Sequence, residues 1–345
     1  MTKPKDRINS LAHAYLLSSA IIAAADLGIA DLLWKNPEQT VDQLSNTLKI
    51  DPRYLFRLLR YLVSHQIFAQ NPNGTFSLNP EAAYLSDEHP ESIRHALLVT
   101  PGLRWNAIGA IREAVTHGKP AFDLLHGKTY FEYLAENPEA EKKFNSHMTT
   151  YTQEEDRLIA PLLPLNKSHT VMDIGGGEGQ FLNEILNHFS DIRGILFDLN
   201  NVISNKKIQH DWKRWEALGG SFFDALPKTN ADSYVLKRVL HNWGDEDCIR
   251  ILSNIRQTMK EGSSLFIIEG VVPENTSQHP SKDTDLFLMT LFPGSERTAK
   301  ELEELAKQAH LQITRTLATP TFLSIVELKH QIHSENLNPL FASNL

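Results

Sequence analysis

Asp173-Ile174-Gly175-Gly176-Gly177-Glu178-Gly179 lies between the apolar run 171–174 and an amphipathic run, 181–189. A short apolar run, a glycine cluster and then helical periodicity read as strand, tight loop and helix. Glycines at such a junction let a bound molecule approach the backbone closely. Working outward, a second strand at 194–197 ends at Asp198. That puts a carboxylate at the carboxyl end of the neighbouring strand, where it can accept hydrogen bonds from both hydroxyls of a ribose. Further strands at 233–236, 265–268 and 322–327 alternate with helices at about 245–260 and 298–309. Repeated strand-helix units imply an α/β fold, a doubly wound Rossmann-like parallel sheet.

NAD and S-adenosylmethionine both carry such a ribose, and the glycine spacing decides between them only in part. A dinucleotide loop wants G-x-G-x-x-G, and position 180 is Gln. Glu178 is also awkward beside a pyrophosphate. Asp173, just before the glycines, suits the cationic amino group of S-adenosylmethionine, directly or through water.

The first hundred residues follow a different grammar. Thr40 with Gln43 makes a capping box, and Asp51 before Pro52 is an N-cap with proline at the first helical position. Leu55, Leu58, Leu59 and Leu62 recur at helical spacing, and segments 67–69 and 75–78 flank the turn Asn71-Pro72-Asn73-Gly74. This predicts a winged-helix-like, mainly α domain over 1–102. Residues 103–165 read as linking helices, with Trp105, Ile108, Ile111 and Val115 on one stripe and Phe131, Leu134, Phe144 and Met148 on another. The sheet domain is expected over 166–330, followed by a polar tail, 331–345.

Composition narrows the function classes. A formal charge of −8 and pI near 6.0 give no electrostatic reason to approach nucleic acid or an anionic membrane. Arg53, Arg57 and Arg60 could line one helix face, as in a metabolite-sensing DNA-binding regulator. Residues 1–100 nevertheless hold nine Lys and Arg against ten Asp and Glu. The single cysteine, Cys248, excludes an internal disulfide framework and a thiolate-rich zinc site. The most apolar stretch, 20–29, is interrupted by Asp26 and short for a bilayer. The expectation is a cytoplasmic protein with a small-molecule substrate, no membrane or nucleic-acid partner and no metal.

Four ordered stretches carry a resemblance: Val171-Met172-Asp173-Ile174-Gly175-Gly176-Gly177, Leu236-Lys237-Arg238-Val239-Leu240-His241-Asn242-Trp243, Ile268-Glu269-Gly270 and Gly294-Ser295-Glu296-Arg297-Thr298. From about residue 10 to 328 the chain resembles the caffeate and acetylserotonin type of S-adenosylmethionine-dependent O-methyltransferase. A phenol or alcohol oxygen needs a base before it attacks a sulfonium methyl, and a histidine suits that task. The resemblance implies His241 as that base, flanked by Glu269 and Glu296, which hold its tautomer and stabilise the imidazolium. It further implies donor contacts from Asp173, Gly175, Gly177, Asp198, Leu199, Ser221, Phe222 and Lys237. Acceptor contacts are implied for Phe144, Met148, Tyr151, Phe287 and Leu291, and a homodimer for the N-terminal domain. Two positions depart from the family pattern: Ser221 replaces a carboxylate expected near the adenine, and Asn242 an aspartate after the histidine. A relative that holds the methyl donor but performs another reaction is the remaining alternative.

Overall fold

The computed structural model describes residues 3–98, 102–165, 170–204 and 214–331. Two compact units, Met1–Trp105 and Asn106–Leu345, are each internally packed.

In the first unit, the helices Tyr15–Asp26, Ile29–Lys35, Val41–Leu48 and Pro52–Ser64 enclose a core of Ala24, Ile29, Leu33, Leu44, Leu55, Leu59 and Leu62. Thr40 and Gln43 close their capping box reciprocally, and Asp51 caps Pro52–Ser64 by accepting from the Arg53 amide. The wing is present: β1 (Ala69–Gln70) pairs antiparallel with β2 (Phe76–Ser77), and Phe76 is buried. The three arginines of Pro52–Ser64 interact along their own helix. Arg53 pairs with Asp51, and Arg57 and Arg60 stack on Tyr54 and Phe56. An open depression of about 600 Å³ runs along that helix between Tyr54, Arg57, Leu58, Arg60, Tyr61 and Ser64.

An 18-residue stretch within Pro4–Asp26 has a mean hydropathy of 1.4, long and apolar enough to cross a membrane by length and composition alone. The segment is two helices, Pro4–Ala12 and Tyr15–Asp26, with Ile8, Leu11, Tyr15 and Leu16 exposed in the single chain. Exposed apolar side chains of this kind also suit a protein interface.

The second unit holds a seven-stranded sheet. Its strands are β3 (Thr170–Ile174), β4 (Arg193–Asp198), β5 (Trp215–Gly219), β6 (Ser233–Lys237), β7 (Ser264–Gly270), β8 (Leu311–Ala318) and β9 (Leu323–His330), in the order β5-β4-β3-β6-β7-β9-β8. The first five in that order run parallel, and β9 is antiparallel to both β7 and β8. Side chains alternate between two buried faces. Met172, Ile174, Ile195, Phe197, Tyr234 and Leu236 pack on the side of Asp245–Thr258 and Ala299–Gln308. Val171, Leu196, Val235, Phe266 and Ile268 pack with Phe181, Leu182, Ile185 and Ile159 on the other. Strand order reverses between β3 and β6, which opens a crevice at their carboxyl ends.

The structure departs from the sequence reading in places. β5 and β8 were not anticipated, and the last strand continues to His330. The proposed stripe of Trp105, Ile108, Ile111 and Val115 does not form one buried face. The chain breaks at Ala110 between Leu103–Gly109 and Ile111–His117, Ile108 and Val115 are exposed, and Ala107 and Ala114 are buried instead. Residues 332–345, which include nearly all of the expected polar tail, lie outside the described residues.

Candidate active site

β3 delivers the chain into the glycine loop at the crevice. Gly177 sits at φ +59°, a left-handed conformation that a Cβ would strain, and its amide donates to Asp198 Oδ2 at 2.7 Å. The other oxygen, Oδ1, accepts from the Leu199 amide at 2.7 Å. Loop and strand-end carboxylate are thus one unit, and each oxygen keeps a lone pair for a further donor. A Cβ on Gly176 would lie 2.5 Å from Asp173 Oδ2 and 2.6 Å from Leu196, so close packing requires glycine there. Gly175 lies against Val239 and Phe222, Leu199 is half exposed, and the Ser221 hydroxyl accepts from the Phe223 amide at 3.2 Å.

Asp173 is buried, and its Oδ2 has no hydrogen-bond partner. Burial pushes its carboxyl up to about 7, with Asp156 adding to the rise and Lys237 opposing it. The unfolded chain ionises this group from about pH 4, whereas the fold resists ionisation until about pH 7. Stability is therefore lost as pH rises through that window and stays lower above it. Asp173→Asn removes the titration. Its thermal midpoint relative to wild type should climb between pH 4 and 7 and level off above, a relative gain of at most about 4 kcal/mol. A difference that stays constant with pH would remove the burial argument.

Lys237 ends β6. Its ammonium lies 2.8 Å from Asp156 Oδ1, 3.7 Å from Glu155 and over the Phe181 ring. The chain then turns through Leu240–Asn242, which presents His241. The buried ring of His241 places Nδ1 3.0 Å from Glu296 Oε1. Glu269 holds the backbone rather than the ring: its Oε1 accepts from the amides of Val239 at 3.0 Å and His241 at 3.2 Å. Of the two carboxylates expected beside the histidine, Glu296 meets the ring and Glu269 holds the turn that carries it. Burial raises the Glu269 carboxyl above its usual range, opposed by His241. Glu296 Oε2 is buried without a hydrogen-bond partner.

Arg297 does not pair with Glu296. It clasps Asp245 Oδ1 at 2.8 Å and donates to the carbonyls of Leu240 at 3.2 Å and Trp243 at 2.8 Å, stapling the turn from beneath. Asn242 donates to the Arg238 carbonyl. Cys248 is buried under the same turn, which pushes its thiol up to about 12. Among the described residues, no group of three or more His, Cys, Asp or Glu is placed to hold a metal ion.

An aromatic group adjoins the turn. Trp243 stacks on Phe131 at 5.5 Å and meets Phe223 edge-on at 4.7 Å, and Phe131 contacts Phe144 and Phe292. Of the expected acceptor residues, Phe144, Met148 and Phe287 are partly exposed, Leu291 is buried, and the Tyr151 side chain lies outside the described residues. Phe131, Phe223 and Trp243 were not singled out for the site, although Trp243 closes the histidine motif and marks the place.

An O-methyltransferase domain model matches residues 108–312, and an O-methyltransferase dimerisation domain model matches 9–87. Phenazine O-methyltransferase of Lysobacter antibioticus is 33% identical over 319 residues, 91% of this chain and 93% of that protein. The 8-amino-8-demethylriboflavin N,N-dimethyltransferase of Streptomyces davaonensis is 32% identical over 303 residues, covering 85% and 86% respectively. Among solved structures, an O-methyltransferase from neocarzinostatin biosynthesis, in complex with S-adenosylmethionine and 2-hydroxy-5-methyl naphthoic acid, matches with a TM-score of 0.79. It is 27% identical, over 91% of this chain and 96% of that one.

Proposed function

This chain belongs to the S-adenosylmethionine-dependent O-methyltransferase family, and from that premise we propose that it methylates a phenolic hydroxyl of an aromatic secondary metabolite, with His241 as general base. The dimerisation-domain match supports a homodimer. The observation that carries the catalytic reading is the buried contact between His241 Nδ1 and Glu296 at 3.0 Å, on a turn that Glu269 fixes through its amides.

The residues present fit the methyl donor. The loop at Gly176 leaves no room for a side chain, Asp198 has lone pairs to spare for a ribose, and the unpartnered oxygen of Asp173 suits an ammonium. Gly175, Gly177, Leu199, Ser221, Phe222 and Lys237 complete the proposed donor set. When bound, S-adenosylmethionine supplies a methyl carbon already made electrophilic by its sulfonium.

The chain's task is then proton transfer and alignment. With Nδ1–H donated to Glu296, Nε2 keeps its lone pair. Nε2 would take the proton of the phenol as its oxygen is methylated, and the Glu296 carboxylate would stabilise the imidazolium that results. The aromatic residues around Trp243, with Phe144 and Met148, supply an apolar wall for a planar acceptor.

The riboflavin-derivative relative acts on an amine, so nitrogen is the rival acceptor atom. An arylamine has an available lone pair and does not need deprotonation before attack, whereas a buried His-Glu pair answers the need of a phenol. Incubation with methyl-labelled donor and a panel of hydroxyphenazines, hydroxynaphthoates and their amino counterparts tests the assignment. Label should appear in aryl methyl ethers. Label confined to the amines would overturn the phenolic reading.

A further inference from the structure

The helix Pro138–Ile159 carries Phe144 and Met148, and β6 leads into the turn that carries His241. These elements meet through two buried ion pairs, Lys237 with Asp156 and Arg238 with Glu155. Glu155 engages Arg238 through both oxygens, Oε1 2.7 Å from Nη2 and Oε2 3.1 Å from Nε. Both side chains are almost entirely enclosed, 7% and 13% exposed for Arg238 and Glu155. The guanidinium lies over the Phe322 ring, and the Arg238 amide donates to the Ile268 carbonyl.

Two unfavourable features coincide here. Burying an ion pair forfeits hydration that its Coulomb energy only partly returns, so such a pair adds little net stability but fixes geometry. Arg238 also has φ +55°, a left-handed conformation that crowds the Cβ of a residue with a side chain. Strain of this kind persists where the surroundings over-determine it. The left-handed residue redirects the chain at the end of β6, after which the Val239 and His241 amides reach Glu269 and the Arg238 carbonyl receives Asn242.

We propose that Glu155 and Arg238 are positioning residues, which register the acceptor-bearing helix against the His241 turn so that acceptor oxygen and base meet in line. The proposal rests on the functional reading above. The planar fork is essential to it, because a lysine at 238 would supply the charge without bidentate geometry.

Glu155→Gln, Arg238→Met and Arg238→Lys test this with whichever phenol the wild-type chain methylates. The first two should lower kcat/KM for the acceptor by about 10–100-fold, the scale of a misplacement near 1 Å; donor Kd by calorimetry should change less than about threefold in Arg238→Met, which leaves the contact of Glu155 with the donor-set Lys237 in place. Arg238→Lys should recover part of the loss. Hydrogen exchange on the donor-saturated protein needs no acceptor. In Glu155→Gln, exchange should rise together in peptides covering 138–159 and 238–243. Wild-type kcat/KM with unchanged exchange would overturn the proposal, as would a donor Kd that weakens in Arg238→Met in step with kcat/KM. Impaired Glu155→Gln beside a fully active His241→Ala would remove the base while supporting the clamp.

Discussion

His241→Ala should lower kcat by about 10²–10⁴-fold, the range for loss of a positioned general base, with donor Kd within about threefold of wild type. In the proposed roles the loss falls on kcat, because the base acts on the acceptor proton and stands apart from the proposed donor set of Asp173, Asp198 and the glycine loop. Its size should depend on the acceptor. A phenol acidic enough to be ionised at the assay pH needs no base, so the deficit should shrink steadily as acceptor acidity rises. Glu296→Gln keeps a hydrogen-bond acceptor near Nδ1 but removes the charge that balances the imidazolium, and should fall between wild type and His241→Ala. The double variant should be no slower than His241→Ala alone, because Glu296 acts through the ring. Steady-state rates across a series of substituted phenols check all three statements. A deficit that is the same for every acceptor, or full activity in His241→Ala, would remove the base assignment.

The parts of the fold written in local chemistry were legible beforehand. The capping box at Thr40 and Gln43 and the Asn71–Gly74 turn are short-range patterns, and the structure contains both. The glycine loop was legible because strand, glycines and helix adjoin, and Asp198 because a strand end identifies a sheet edge. The α/β class and the family followed from these features and the four motifs. Less visible was anything decided by partners distant in sequence. Glu269 looks like a second ring carboxylate, yet it satisfies amides 30 and 28 residues away. Arg297, adjacent to Glu296, reaches Asp245 instead. The left-handed Arg238 carries no local signature, since such a conformation usually announces itself through glycine or asparagine. β8 escaped notice because its Gln, Thr and Arg residues read as a polar surface until β9 pairs with it.

Gly294→Ala should cost about 10²-fold in kcat/KM although residue 294 has no reactive group, because misplacing catalytic atoms by about 1 Å has that effect. A Cβ there would lie 2.3 Å from the His241 carbonyl oxygen, 2.4 Å from the Trp243 nitrogen and 2.6 Å from the Asn242 carbonyl carbon. All three are backbone atoms, so no side-chain rotation relieves the overlap. The turn is also restrained: Glu269 holds its amides, and Arg297 holds the carbonyls of Leu240 and Trp243. Either the turn moves, carrying His241, or residue 294 moves, carrying the nearby Glu296. Both routes open the 3.0 Å contact between ring and carboxylate. Overpacking should also lower stability by about 1–3 kcal/mol. Gly244→Ala is the control, since residue 244 closely follows the His241 turn and a Cβ there meets nothing within 4 Å. Donor Kd should hold in both variants, because the Gly294 contact is with the backbone of 241–243, outside the proposed donor set. A Gly294→Ala protein with reduced thermal midpoint but wild-type kcat/KM would show that His241 keeps its place without this contact.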